Sequence, residues 1–250
     1  MKTAERERTR INVLILLVSA ITWMMLLVNP GNIMMIAHCP IMDAGASPAS
    51  FQMMLAMNPI SSLATGWALM LVAMMSPTLI APIHHVRERS FKRRRVRAVI
   101  LFIIGDASIW MMAGVALLAI TLLLSLLMPQ SYLPAVTVGL TALAWQCSPI
   151  KQRCLNRGHN HRALAAFGRS ADRDALNFGV SHGIWCVGSC WLLMLFPMLL
   201  AQGHFAAMAI VTYVMISERL EQPKHPGWRL RFSGKLLRIG VTQTRIRLQS

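Results

Sequence analysis

Four side chains that bind soft metal ions recur at four-residue spacing in one apolar stretch: His182, Cys186, Cys190 and Met194. On a helix, positions i, i+4, i+8 and i+12 form one slowly drifting stripe. Imidazole, two thiols and a thioether make a soft donor set. Thiolate and thioether favour Cu(I), and thiolate with imidazole also suits zinc. Gly179, Gly183 and Gly188 on the same segment allow neighbouring helices to approach closely. Trp185 and Trp191 are placed to close the sides. The competing reading is that cysteine is a small hydrophobe, common in cores, and that the stripe only packs.

Other residues extend this chemistry. Asp106 is the one charged residue inside an apolar run. A carboxylate at that depth is costly and marks a functional site by default, the bland reading being a structural hydrogen bond. Counted from its basic boundary it lies roughly 12 Å deep at 1.5 Å per residue. The same count puts Cys186, Met74 and Met75 at that level, so three segments are expected to share one site. Cys147 and Cys154 bracket a boundary without standard zinc spacing, and His84, His85, His159 and His161 lie near the same face. They are candidates for an entry or exit relay, with solvated loop residues as the alternative. Among the 19 methionines, Met34, Met35 and Met42 cluster with His38 and Cys39 in an outer loop, and Met53 and Met54 follow.

The elements that must position these residues are set by charge. The 25 Lys and Arg residues fall into four groups: four before Ile11, seven between His84 and Arg97, six between Ser148 and Asn177, and eight after Ser217. The intervening gaps at 29–60, 129–133 and 202–204 contain none. Basic flanks stay on the cytoplasmic side of an inserting chain. The alternation predicts an all-α polytopic bundle of six transmembrane helices with both termini cytoplasmic. The expected spans are 11–28, 61–83, 96–128, 131–147, 178–201 and 203–217. Pro77 and Pro82 lie near the inner end of the second, and Pro197 kinks the fifth. Residues 1–220 form the membrane domain and 221–250 a basic cytoplasmic tail. The first span reads as a retained signal anchor, since no small-residue cleavage site follows it.

Composition excludes much else. The chain has 250 residues, 55% of them hydrophobic, and a mean hydropathy of +0.52, unlike a soluble or disordered domain. The net charge of +16 sits in short flanks of apolar segments, which points to anionic lipid headgroups at the cytoplasmic face and away from nucleic acid. Five cysteines suggest no disulfide framework. There is no nucleotide loop, nucleophile elbow or His-Glu-x-x-His.

Certain motifs are familiar. They are Ala73-Met74-Met75-Ser76-Pro77, Gln146-x-x-Pro149-x-Lys151-x-x-Cys154-Leu155, Gly183-x-x-Cys186-x-Gly188-x-Cys190-Trp191-x-x-Met194, and Glu218-Arg219. Over roughly residues 61–220 the chain resembles an uncharacterised bacterial family of predicted metal-binding integral membrane proteins (domain of unknown function 2182). The resemblance implies a multi-span inner-membrane protein with a metal site and no established reaction. The chain departs from that pattern at Ser189, where a further Cys often precedes Cys190, and at Phe205, near a usual Met.

The expected function is copper handling by transport, delivery or tolerance, without catalysis. Cys186, Cys190, Met194, Met74 and Met75 are the candidate ligands, His182 a ligand or gate, and Asp106 a proton or charge partner. Cu(I) is the expected ion, with zinc second, and a metallochaperone or another membrane protein the expected partner. A non-metal transporter or assembly partner remains open, as does a thiol–disulfide role for Cys186 and Cys190. The last is strained by two cysteines one turn apart on one helix.

Overall fold

The computed structural model describes residues 2–28, 52, 56, 59–128, 131–160, 163–165, 167–200 and 202–229. Among these residues every regular element is helical. The helices are α1 (Lys2–Val28), α2 (Ile60–Met75), α3 (Ile80–Arg89), α4 (Arg95–Leu127), α5 (Leu133–Cys147), α6 (Pro149–Gly158), α7 (Gly168–Met198) and α8 (His204–Leu220), with a 3-10 turn at Ser76–Leu79.

Proline divides the second apolar run. Pro77 has no N–H to give the Ala73 carbonyl, so α2 ends at Met75 and the chain continues through the 3-10 turn into α3. The freed carbonyl is satisfied from α1 instead. Ser19 Oγ donates to Ala73 O at 2.7 Å and Trp23 Nε1 donates to it at 3.1 Å. A helix break in one segment thereby fixes the register of another.

The tightest helix pair is α4 on α7, which run parallel. Glycine makes it possible. A Cβ on Gly179 would stand 2.1 Å from Phe102 O, and one on Gly105 2.5 Å from Leu176 O. A Cβ on Gly183 would stand 2.9 Å from Ile109 Cβ. Gly179 and Gly183 are the small residues, four apart, of a close helix crossing. Further up α4, Gly114 leaves room for the Trp67 ring, whose Nε1 donates to Trp110 O at 3.1 Å.

Ion pairs gather the basic ends. Arg94 and Arg97 hold Asp172 at 2.9 and 2.7 Å, joining the starts of α4 and α7. Arg8 with Glu88 and Arg87 with Glu7 join the start of α1 to the end of α3. The charge sorting read from the sequence thus has a counterpart in which helix ends meet.

Four helical segments are long and apolar enough to cross a membrane: residues 5–28, 60–89, 95–127 and 168–198. A fifth is obtained if α5 and α6, bent by 67°, are counted as one span. α8 has 17 residues and is roughly 25 Å long, against about 30 Å of hydrocarbon. Six crossings require both the bent pair and the shorter α8 to span.

Two differences from the sequence reading affect the site. The expected inner loop at 148–177 contains α6, restarted at Ser148, whose Oγ accepts from Lys151 N at 3.2 Å, with Pro149 in the first turn. And α7 begins at Gly168, ten residues before the expected start of the fifth span. The outer-loop cluster of Met34, Met35, His38, Cys39 and Met42, and with it Met53, Met54, His161 and the tail from 230, lies outside the described residues.

Candidate metal centre

The stripe on α7 faces inward along its whole length: His182, Cys186, Cys190 and Met194 are all buried. It is a path, because twelve residues of helix rise roughly 18 Å. No single ion touches both ends. The levels along it have different neighbours.

At the lowest level His182 Nδ1 lies 2.8 Å from Asp106 Oδ1. The carboxylate accepts, so Nδ1 carries the proton and Nε2 is the nitrogen offered to a metal in the neutral ring. Phe102 flanks the imidazole, ring centroids 5.7 Å apart. Asp106 therefore meets His182, one turn below Cys186. The sequence reading put Asp106 at a depth similar to Cys186; glycine contacts set the α4–α7 register and pair it with His182, four residues before that cysteine. The carboxylate also borders a cavity of about 300 Å³ between α1, α2 and α4, beside Met75, Ser76 and Trp110.

At the middle level stand the two thiols. Cys190 Sγ donates to Cys186 O at 2.9 Å, one turn back on the same helix. Met74, Met75, Met194, Met208 and Met215 belong to the same buried cluster as this pair, as do Trp67 and Trp110. Three of the predicted segments thus bring their sulfur atoms into one core. Ser189 also turns back onto its own helix, donating to Cys186 O at 2.8 Å.

The Arg219 guanidinium, from the end of α8, reaches the end of α6, its Nη1 2.5 Å from where a Gly158 Cβ would stand. Its buried Nη2 has no hydrogen-bond partner among the described residues. Beside it Lys151 Nζ pairs with Glu218 Oε2 at 2.8 Å, both side chains buried. Gln146 Nε2 donates to Glu218 Oε1 at 2.8 Å, and Lys151 donates to Gln146. The sequence reading missed this buried ion pair. Both residues lie in the motifs quoted above, but their polar surroundings read as solvated flanks.

The residues of the expected inner-face relay have the following surroundings. Cys154 is buried on α6, its Sγ 3.0 Å from where a Gly188 Cβ would stand. Gly188 is two residues from each of Cys186 and Cys190, so at 100° per residue it faces away from both. Cys147 is half-buried at the end of α5, its carbonyl taking the Arg229 N–H at 3.3 Å. His159 places both ring nitrogens on carbonyl oxygens, of Leu155 at 2.8 Å and of Arg219 at 3.0 Å. His84 Nε2 is 2.7 Å from Asn12 Oδ1, and His85 packs on Phe178.

Among the described residues no three of His, Cys, Asp and Glu converge as metal ligands. A structural zinc site uses four such groups and a catalytic one three, so zinc finds no such set there. A thiol pair supplemented by thioethers is a low-coordinate soft site, which fits Cu(I).

Residues 64–240 match the model of the PpoB2 family, described as a copper chaperone. No match was found among curated proteins or among solved structures.

Proposed function

The chain belongs to the PpoB2 copper chaperone family, and from that premise we propose that it receives Cu(I) inside a membrane-embedded helix bundle and hands it to a copper-requiring protein. The observation that carries this reading is the convergence of Cys186 and Cys190 with Met74, Met75 and Met194 in one buried cluster. Copper is cargo here, and the chain does no chemistry on it.

In this reading Cys186 and Cys190 are the central ligands. Cu(I) between two thiolates carries a net negative charge, and a buried anion needs a counter-charge. In this reading Arg219, a buried cation at the end of α8, is the group to supply it. Met194, Met74 and Met75 provide weaker, exchangeable thioether donors. His182, oriented by Asp106, is the next ligand along α7 toward the basic ends. A ladder of weak sites suits a protein that must release its ion as well as bind it.

The membrane setting completes the proposal. The bundle is an inner-membrane protein of six spans, the bent α5–α6 pair and α8 included, with both termini cytoplasmic. The sorting of the 25 basic residues and the apolar outward faces of α1 and α4 support it.

The test is anaerobic Cu(I) titration of detergent-purified protein against a chromophoric chelator, with X-ray absorption at the copper edge. The full chain is expected to hold copper with thiolate sulfur in its shell. Cys186→Ser with Cys190→Ser should remove that sulfur signature and the copper it holds. Unchanged copper content and spectrum in the double variant would sink the proposal and favour the reading in which the stripe only packs.

A further inference from the structure

We infer that His204, with Met198 and Met208, forms a second soft-metal site at the opposite end of α7 from the Asp106–His182 pair. His204 opens α8 and is 3% exposed. Its Nδ1 lies 2.6 Å from the Pro197 carbonyl oxygen. A carbonyl only accepts, so Nδ1 carries the proton. In the neutral ring that leaves Nε2 as a bare lone pair, and among the described residues the buried Nε2 has no hydrogen-bond partner. Buried polar atoms in native proteins are nearly always paired, so an orphan calls for a ligand. The Pro197 contact is also the second interaction that metal-binding imidazoles carry, one nitrogen fixed on a carbonyl so that the other is aimed.

The surroundings name the ligand class. Met208 is one helical turn from His204 on the same face of α8, and it is fully buried. Met198 follows the proline whose carbonyl the ring holds, and it too is buried. Both belong to the cluster that contains Met194, Cys190 and Cys186. One imidazole and two thioethers form a neutral, soft, three-donor site. That set suits Cu(I), or Ag(I) as its spectroscopically silent stand-in, and it lacks the anionic donors a hard divalent cation would require. Proline and glycine shape the place: Pro197 lies inside the last turn of α7, and Gly203 at φ +77° turns the chain so that α8 begins with the ring against α7.

The inference rests on the copper-handling reading and deepens it. In the proposed orientation this end of the bundle faces outward. His204 then becomes the first ligand an incoming ion meets, with Met198 and Met208 leading to Met194 and the thiols.

The experiment uses the full chain with Cys186→Ser and Cys190→Ser, titrated with Cu(I) under reducing conditions against a chromophoric chelator. About one equivalent should remain bound, with nitrogen and thioether sulfur but no thiolate in the X-ray absorption shell. Adding His204→Gln should weaken that binding by roughly tenfold or more, at least the loss seen when a supporting partner is removed. Met208→Leu, which keeps volume and removes sulfur, should act in the same direction while thermal unfolding is unchanged. Absence of residual copper in the chain with Cys186→Ser and Cys190→Ser would overturn the inference. So would affinity untouched by both substitutions. A native chain without thiolate-bound copper would instead defeat the function proposed above, whether or not the residual site binds.

Discussion

Asp106 and His182 face each other across the α4–α7 seam, with the imidazole Nδ1 2.8 Å from a carboxylate oxygen and both side chains buried. The pair lies where the glycine contacts bring the two backbones closest. It does two things at once. It satisfies a carboxylate that would otherwise be stranded in an apolar setting, and it fixes which imidazole nitrogen is free. Asp106→Ala is expected to cost about 1–3 kcal/mol by leaving a buried donor unpaired. Cu(I) affinity should fall by about 10–100-fold if His182 is a ligand supported by its carboxylate. Asp106→Asn keeps an acceptor and should lose less stability. Thermal unfolding and chelator competition on the same preparations separate the two effects, and unchanged affinity in both variants would remove His182 from the ligand set.

The seam itself can be tested without touching any polar group. Gly179→Ala would place a carbon 2.1 Å from the Phe102 carbonyl oxygen, and backbone cannot yield as a flexible side chain would. The helices must part, at an overpacking cost of about 1–3 kcal/mol or more. Gly105→Ala should behave alike. Gly227→Ala, with no atom within 4 Å, is the control and should be neutral. The measurement is the unfolding midpoint in detergent, with His182 ring chemical shifts reporting whether the Asp106 contact survives.

These contacts explain why the site was only partly legible in the sequence. The stripe from His182 to Met194 and the lone carboxylate at Asp106 were readable, because soft donors at helical spacing and a charge in an apolar run are local signals. The partner of Asp106 was not. Its depth was counted from the basic boundary, but α7 starts at Gly168 and not near Phe178, and glycine sets the register between helices. Lys151 and Glu218 were hidden for the opposite reason: each sits in a polar stretch, and only α6 folding back onto the end of α8 buries them. His204 occupied a short turn whose significance depends on a carbonyl seven residues earlier. Among the helices, α4 was plain from apolar length, and α1 from a shorter apolar run together with the alternation of basic groups. The α5–α6 bend depends on a serine cap and a proline, which mark a helix start only when a helix is already expected there.

Lys151 and Glu218 provide a prediction about pairs. Lys151→Met leaves Glu218 buried with Gln146 alone and should cost about 3–5 kcal/mol, the usual penalty for breaking a buried ion pair. The double variant Lys151→Met with Glu218→Leu should recover much of that loss, since an apolar pair of similar volume avoids desolvating two charges. A double-mutant cycle on unfolding midpoints gives the answer. Additive losses would mean that the pair is not coupled as its geometry implies.

Topology has a direct readout. With the native cysteines replaced by serine, Lys92→Cys and Arg169→Cys should react with impermeant maleimide only after the cytoplasmic side is opened. Gln202→Cys should react in intact spheroplasts. Lys92 and Gln202 labelled from one compartment would contradict the six-span arrangement, because a basic flank and a gap without Lys or Arg would then share a side.

The Ala73 carbonyl offers the sharpest structural prediction, because the reason for its bonds is identifiable. Pro77 removes the helical donor, and Ser19 and Trp23 replace it from α1. Ser19→Ala alone should cost about 0.5–1.5 kcal/mol, the net value of one hydrogen bond, since Trp23 still covers the oxygen. Trp23→Phe combined with Ser19→Ala should cost more than the sum, since a buried carbonyl then has no donor, at about 1–3 kcal/mol for that group alone. Pro77→Ala restores the backbone N–H. In that background Ser19→Ala should lose most of its effect, because the carbonyl is again served within α2. The cycle is read from unfolding midpoints of four variants. A serine penalty that is the same with proline and with alanine at 77 would mean that α1 docks by apolar packing alone, and that the break at Pro77 does not set the register in which Met74 and Met75 meet the thiols.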